Sequence, residues 1–169
     1  MNLKIVKYPE PVLSQPGEPV TEFNDDLRKF VADMFETMYA AQGIGLAAPQ
    51  VAVSRRITVI DISMGKDPAQ KLVLVNPEII FQEGRQYEEE GCLSFPDIRE
   101  KVARAFKVTV RAQDENGKWF EMDGDELLAR AFQHEIDHLD GMLFIFRMSG
   151  LKRDMTLRKI RKMQREGTW

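Results

Sequence analysis

Cysteine and histidine are scarce in this chain of 169 residues, which holds one cysteine, Cys92, and two histidines, His134 and His138. A single thiol excludes an internal disulfide and fits a reducing compartment such as a bacterial cytoplasm. Long apolar runs are missing too. Lys4, Lys7, Pro9, Pro11, Pro16 and Pro19 break up the opening segment, so neither a secretory leader nor a membrane span is expected. No internal repeat, low-complexity tract or long linker divides the sequence. With 43% hydrophobic and 30% charged residues, a single globular domain over residues 1–169 is expected, with a core that needs no cross-links.

The net charge of −3 hides an uneven distribution. Residues 151–169 carry seven Lys or Arg against Asp154 and Glu166, a balance of +5, which leaves 17 basic and 25 acidic groups, or −8, in the first 150. A basic tail on an acidic body can mark a docking site for a polyanion, although a solvated helix face is the plainer explanation.

Both histidines fall in one five-residue stretch, His134-Glu135-Ile136-Asp137-His138. On a helix, positions i and i+4 share a face, so two imidazole nitrogens can converge on one metal. Glu135 lies one step round, within reach of a metal-bound water. This is the H-E-x-x-H arrangement of metal-dependent hydrolases, with the carboxylate as general base. Two hydrogen-bonded core histidines would be the plainer reading of the pair alone. The spacing predicts a helix from Asp123 or Asp125 to Asp140, stopped by Gly141. Leu127, Ala131, His134 and His138 form one stripe, while Leu128, Phe132, Ile136 and Leu139 cover much of the rest. A helix apolar on most sides belongs inside, where its polar groups must be paired or bound.

A catalytic metal usually takes three protein ligands and keeps a position for water. Cys92, in Glu90-Gly91-Cys92-Leu93-Ser94, is the obvious third ligand. It could instead be a small buried hydrophobe, or a nucleophile paired with one of the histidines. Two imidazoles and a thiolate suit zinc or iron(II) and discriminate against magnesium and calcium. Gly43-Ile44-Gly45-Leu46-Ala47-Ala48-Pro49-Gln50 forms a tight loop whose glycines could equally be a helix stop and a turn. It lacks the spacing and lysine of a phosphate-binding loop, which excludes nucleotide binding.

The remaining pattern predicts an N-terminal helix capped by Asn24, with Leu27, Phe30, Val31, Met34, Phe35 and Met38 as its apolar stripe and Gly43 and Gly45 as its stop. Short β-type runs are expected at Arg56–Ile62, Lys71–Val75, Ile79–Phe81, Phe106–Arg111 and Lys118–Met122, divided by turn signals including Asn76-Pro77. Asn116-Gly117 between the last two predicts a hairpin, so the sheet should be at least partly antiparallel. Leu151 to Arg165 reads as a basic amphipathic helix with Leu151, Met155, Ile160 and Met163 on its less polar side. The fold class is therefore α+β, with short sheets packed around a central motif-bearing helix.

Together, Gly43–Gln50, Glu90–Ser94 and Gln133–Gly141 closely resemble the peptide deformylase family, metal hydrolases that remove formate from N-formylmethionyl chains. The opening Ile5–Val20 and Leu143-Phe144 extend the likeness over nearly the whole chain. Ser14 stands where members often carry Arg, and Phe146 where many have Asp; neither position is a presumed ligand.

The resemblance implies that Cys92, His134 and His138 bind one divalent metal per chain, with a water in the fourth position. Fe(II) is the metal the family often uses, and zinc, nickel or cobalt can replace it. It further implies Glu135 as the proton shuttle. The Gln50 side-chain amide and the Leu93 N–H become oxyanion donors, with Gly45 part of the same catalytic loop. Ile44, Leu127 and Ala131 would shape a pocket for the methionine side chain, and Arg99 would bind the peptide backbone. The expected partners are N-formylmethionyl nascent peptides in the cytoplasm, with a ribosome contact through basic residues 151–165 and neither membrane nor DNA. Two other readings of the motif are a metallopeptidase and a non-enzymatic RNA-binding domain stabilised by metal. The first would usually draw its third ligand from a Glu or a third His, and the second would need four protein ligands.

Overall fold

A computed structural model describes residues 1–169. Helix α1 spans Asp25–Ala40, with the Asn24 side chain accepting from the Leu27 N–H at its start, as the sequence predicts. Strands β1 (Gly45–Ala47), β2 (Ile57–Ile60), β3 (Leu72–Glu83), β6 (Lys107–Gln113) and β7 (Trp119–Asp125) form one antiparallel sheet in the order β1-β2-β3-β6-β7. Strands β4 (Gln86–Cys92) and β5 (Phe95–Arg104) form a second antiparallel pair. Helix α2 runs over Glu126–Leu139 and helix α3 over Gly150–Glu166. The fold is α+β.

The larger sheet is covered on both faces. Ile57, Val59 and Val75 join the cluster under α1, while Ile60, Leu74, Val108 and Val110 join Ala129, Phe132 and Ile136 of α2. Alternate residues along β2 therefore meet different helices, and all four are buried. From Ala129 to Leu139 every residue of α2 is buried, including Arg130, Gln133, His134, Glu135, Asp137 and His138. A third cluster joins Leu13, Phe95, Ile98, Phe144 and Ile160 of α3. The Trp169 ring lies edge-on to Phe95 at 6.3 Å, and its indole N–H donates to the Tyr8 carbonyl.

Three expectations need correction. Lys71–Val75 and Ile79–Phe81 belong to one strand, because Asn76-Pro77 forms an irregularity inside β3. The ladder shifts register there, Asn76 takes a φ of 51°, and its side chain ties to Val20 and Gln113. The pair β4–β5 had no counterpart among the predicted strands. On α3, Ile160 is buried as expected, beside Thr156, whereas Leu151 and Met155 of the same expected stripe are exposed. The β6–β7 hairpin carries Asn116-Gly117 at its tip, as predicted, with Gly117 at a φ of 84°. No helix is long and apolar enough to cross a membrane.

Candidate metal centre and substrate cleft

Helix α2 places His134 and His138 one turn apart, with their Nε2 atoms 3.1 Å apart. Cys92, at the end of β4, brings its Sγ to 3.3 Å from His138 Nε2. The three candidate ligand atoms all lie within 4.8 Å of one another. Tetrahedral coordination with bonds of about 2.0–2.3 Å sets neighbouring ligand atoms about 3.3–3.8 Å apart, so the spacing suits one small cation. His134 turns its Nδ1 to Glu90 Oε1 at 2.8 Å, which leaves Nε2 for the cluster. The donor set fits iron(II), zinc, nickel or cobalt.

Glu90 is buried and heavily paired. Arg104 Nε and Nη2 donate to its two oxygens at 2.9 Å each, and Arg130 Nη1 donates to Oε2. Burial alone would raise the Glu90 pKa, but the hydrogen bonds from Arg104 and His134 outweigh it and hold the carboxyl well below the usual range. Burial lowers His138, helped by the positive charges of His134 and Arg104. On His134 burial acts the same way, but Cys92 and Glu90 overcome it and raise that imidazole.

Burial pushes Glu135 up to about 7 despite the opposing His134 charge and the Thr58 hydroxyl, which donates to Oε2 at 3.4 Å. A carboxyl poised near neutrality can both accept and return a proton. Gly45 is glycine for a local reason: a Cβ there would stand 2.8 Å from Glu135 Oε1. Gln50 is buried, with its Oε1 accepting from the Ala47 N–H at 3.0 Å. Its Nε2 donates to Ser94 Oγ at 3.2 Å and also points at Cys92 Sγ, 3.6 Å away.

A cleft of about 720 Å³ opens on this cluster. Every site residue predicted from the sequence lines it except His138, which is buried behind: Ile44, Gly45, Gln50, Cys92, Leu93, Arg99, Leu127, Ala131, His134 and Glu135. At the rim, Arg99 Nε donates to Glu89 at 2.7 Å. Sequence reasoning missed Thr58, Ser94, Arg104, Arg130 and Asp137, as well as the part Glu90 plays. The one available signal was that Arg130 and Asp137 sit on a helix too apolar to leave charges in solvent.

A cleft that ends on a cysteine sulfur and two imidazoles, with a buried glutamate alongside, has the side chains a metal-dependent hydrolase requires. Residues 2–154 match the sequence profile of the family described as polypeptide deformylase. A peptide deformylase of Acidobacterium capsulatum is 73% identical over 165 residues, 98% of this chain and 97% of that protein. The crystal structure of a peptide deformylase from Legionella pneumophila superposes with a TM-score of 0.91 at 47% identity, covering 99% of this chain and 98% of that one. The Plasmodium falciparum enzyme gives 0.91 at 39% identity, with 96% of each chain covered.

The chain belongs to the polypeptide deformylase family. It is an enzyme that removes the formyl group from newly made polypeptides, and the readings as endopeptidase or RNA-binding module are not favoured.

Proposed function

We propose that Cys92, His134 and His138 hold one divalent cation, and that Glu135 carries the proton during hydrolysis of N-formylmethionyl peptides. The observation that carries this is the convergence of one sulfur and two Nε2 atoms beside a buried carboxyl poised near neutrality. A cation held by these three residues would supply Lewis-acid chemistry, making a water more acidic and a carbonyl more electrophilic. Glu135 takes the proton of the attacking water and returns it to the leaving methionyl amine, so the products are formate and a free N-terminus. The Gln50 side-chain amide, turning from its present partners, and the backbone N–H of Leu93 donate to the charge that develops on the formyl oxygen, and one such donor is typically worth about 2.7–4 kcal/mol. Glycine at position 45 leaves room for the Glu135 carboxylate, which a Cβ there would meet at 2.8 Å.

Ile44, Leu127 and Ala131 wall the part of the cleft nearest the histidine helix and take the methionine side chain, whose burial contributes about 1.5–3 kcal/mol. Arg99 uses Nε on Glu89 and keeps its remaining N–H groups for a peptide carbonyl. Iron(II) is the physiological metal in this reading, with zinc, nickel or cobalt as functional substitutes. Residues 1–169 act as one catalytic domain in the cytoplasm. The seven basic residues after Gly150 give α3 a surface suited to ribosomal RNA, which would bring the cleft to the emerging chain.

The test is formate release from formyl-Met-Ala-Ser by protein prepared without oxygen and loaded with iron or nickel, beside Glu135→Ala. Release that chelation and the substitution each abolish supports the assignment. No release from protein that demonstrably holds one metal would overturn it.

A further inference from the structure

Asp137 lies between the two histidines in sequence, is buried, and does not line the cleft. Its carboxylate is nonetheless fully engaged. Oδ2 accepts from Arg104 Nη1 at 2.6 Å and from Arg147 Nε at 3.0 Å, while Oδ1 accepts from Arg147 Nη2 at 2.9 Å. The far edge of Arg104 clamps Glu90, and Glu90 holds His134 Nδ1. An unbroken series of charge-assisted hydrogen bonds thus joins Arg147, on the turn before α3, to a candidate ligand. Four of its five members are buried, and the Arg147 side chain is 45% exposed.

Each guanidinium is planar and each carboxylate presents two oxygens, so a two-pronged contact fixes orientation as well as distance. With Arg104 alone, Asp137 would be held through one oxygen and free to turn. Arg147 grips both oxygens, which fixes the plane of Asp137; Oδ2 then anchors Arg104 Nη1 at one point, and the two-pronged contact of Arg104 orients Glu90. Its positive charge acts in the opposite sense, because a third guanidinium beside two carboxylates disfavours a nearby cation. That charge is screened by solvent and lies two carboxylates away, so its effect on cation binding is less than about twofold. Orientation wins.

We propose that Arg147 is a positioning residue for the metal centre, holding the His134 imidazole in place through Asp137, Arg104 and Glu90. This rests on the reading of Cys92, His134 and His138 as ligands. Outer partners that touch a ligand directly typically change metal affinity by about 10–100-fold, and Arg147 stands two links further out. Arg147→Gln should therefore speed metal loss about 3–10-fold.

The experiment follows release of Co(II) from the loaded protein into excess chelator, using the cobalt–thiolate absorption, in the parent, Arg147→Gln and Arg147→Lys. It is repeated in an Asp137→Asn background. Faster release in both Arg147 variants, lost in that background, together with an unchanged KM for formyl-Met-Ala-Ser, supports the proposal. Release within twofold of the parent, parental behaviour of Arg147→Lys, or an effect that persists without the Asp137 carboxylate would overturn it. Should Asp137→Asn fail to fold, the two Arg147 variants decide alone. A parent that takes up no cobalt sinks the metal reading itself, whereas uptake indifferent to Arg147 sinks only this inference.

Discussion

Helices α2 and α3 have similar lengths, 14 and 17 residues, and both carry many charges, yet they use them in opposite ways. On α2 the groups from Arg130 to Asp137 are buried and tied to partners on β4, β5 and the turn before α3. On α3 only Thr156 and Ile160 are buried, and most of the charges face solvent. The difference is one of cost. An ionised group taken from water loses several kcal/mol unless it is paired, so the α2 charges must form a closed network. Charges that stay in water carry no such obligation and are free to meet a partner. In the proposed reading, chemistry sits on the first kind of helix, and recognition suits the second.

The contrast can be tested by substitutions ranked by their effect on turnover. Gly45→Ala should be the most damaging, because its methyl would meet Glu135 Oε1 at 2.8 Å and displace the carboxylate. A fall in kcat of about 10²-fold with an unchanged circular dichroism spectrum is expected. Glu90→Gln should follow, since it keeps the shape but removes the charge that orients His134. Competition with a chelator should show metal affinity reduced by about 10–100-fold.

Ile160→Ala strikes the buried face of α3 and should cost about 2–4 kcal/mol in urea unfolding while leaving kcat/KM near the parent value. If it reduced turnover as Gly45→Ala does, the division of labour between the helices would collapse. Lys152→Ala should do least. It removes a surface pair with Glu100 at 3.2 Å and a contact with the Tyr87 hydroxyl, and Tm should be nearly unchanged.

Much of this was legible before any coordinates. Asn24, the α1 stripe, the Asn116-Gly117 hairpin and the i, i+4 histidines are local patterns, each spanning a few residues, and local patterns survive tertiary packing. The pair β4–β5 was not legible. Its strands read Gln-Tyr-Glu-Glu-Glu-Gly-Cys and Phe-Pro-Asp-Ile-Arg-Glu-Lys-Val-Ala-Arg, and charges along both mask the alternation that marks a half-buried strand. Asn76-Pro77 misled for another reason: a turn signal and an irregularity inside a strand use the same residues. The network behind His134 escaped because residues 90, 104, 130, 137 and 147 have no short-range spacing in common. Only the folded chain brings them together.

The edge-on contact between Trp169 and Phe95 has an optical consequence. The chain has two tryptophans, and they sit in unlike places: Trp119 is an exposed strand residue beneath Arg111, whereas Trp169 packs against a ring that lines the cleft. Replacing Trp119 with phenylalanine would leave a single indole one aromatic ring away from the substrate. Its emission would then report in real time, without any label, the arrival and departure of whatever fills the cleft.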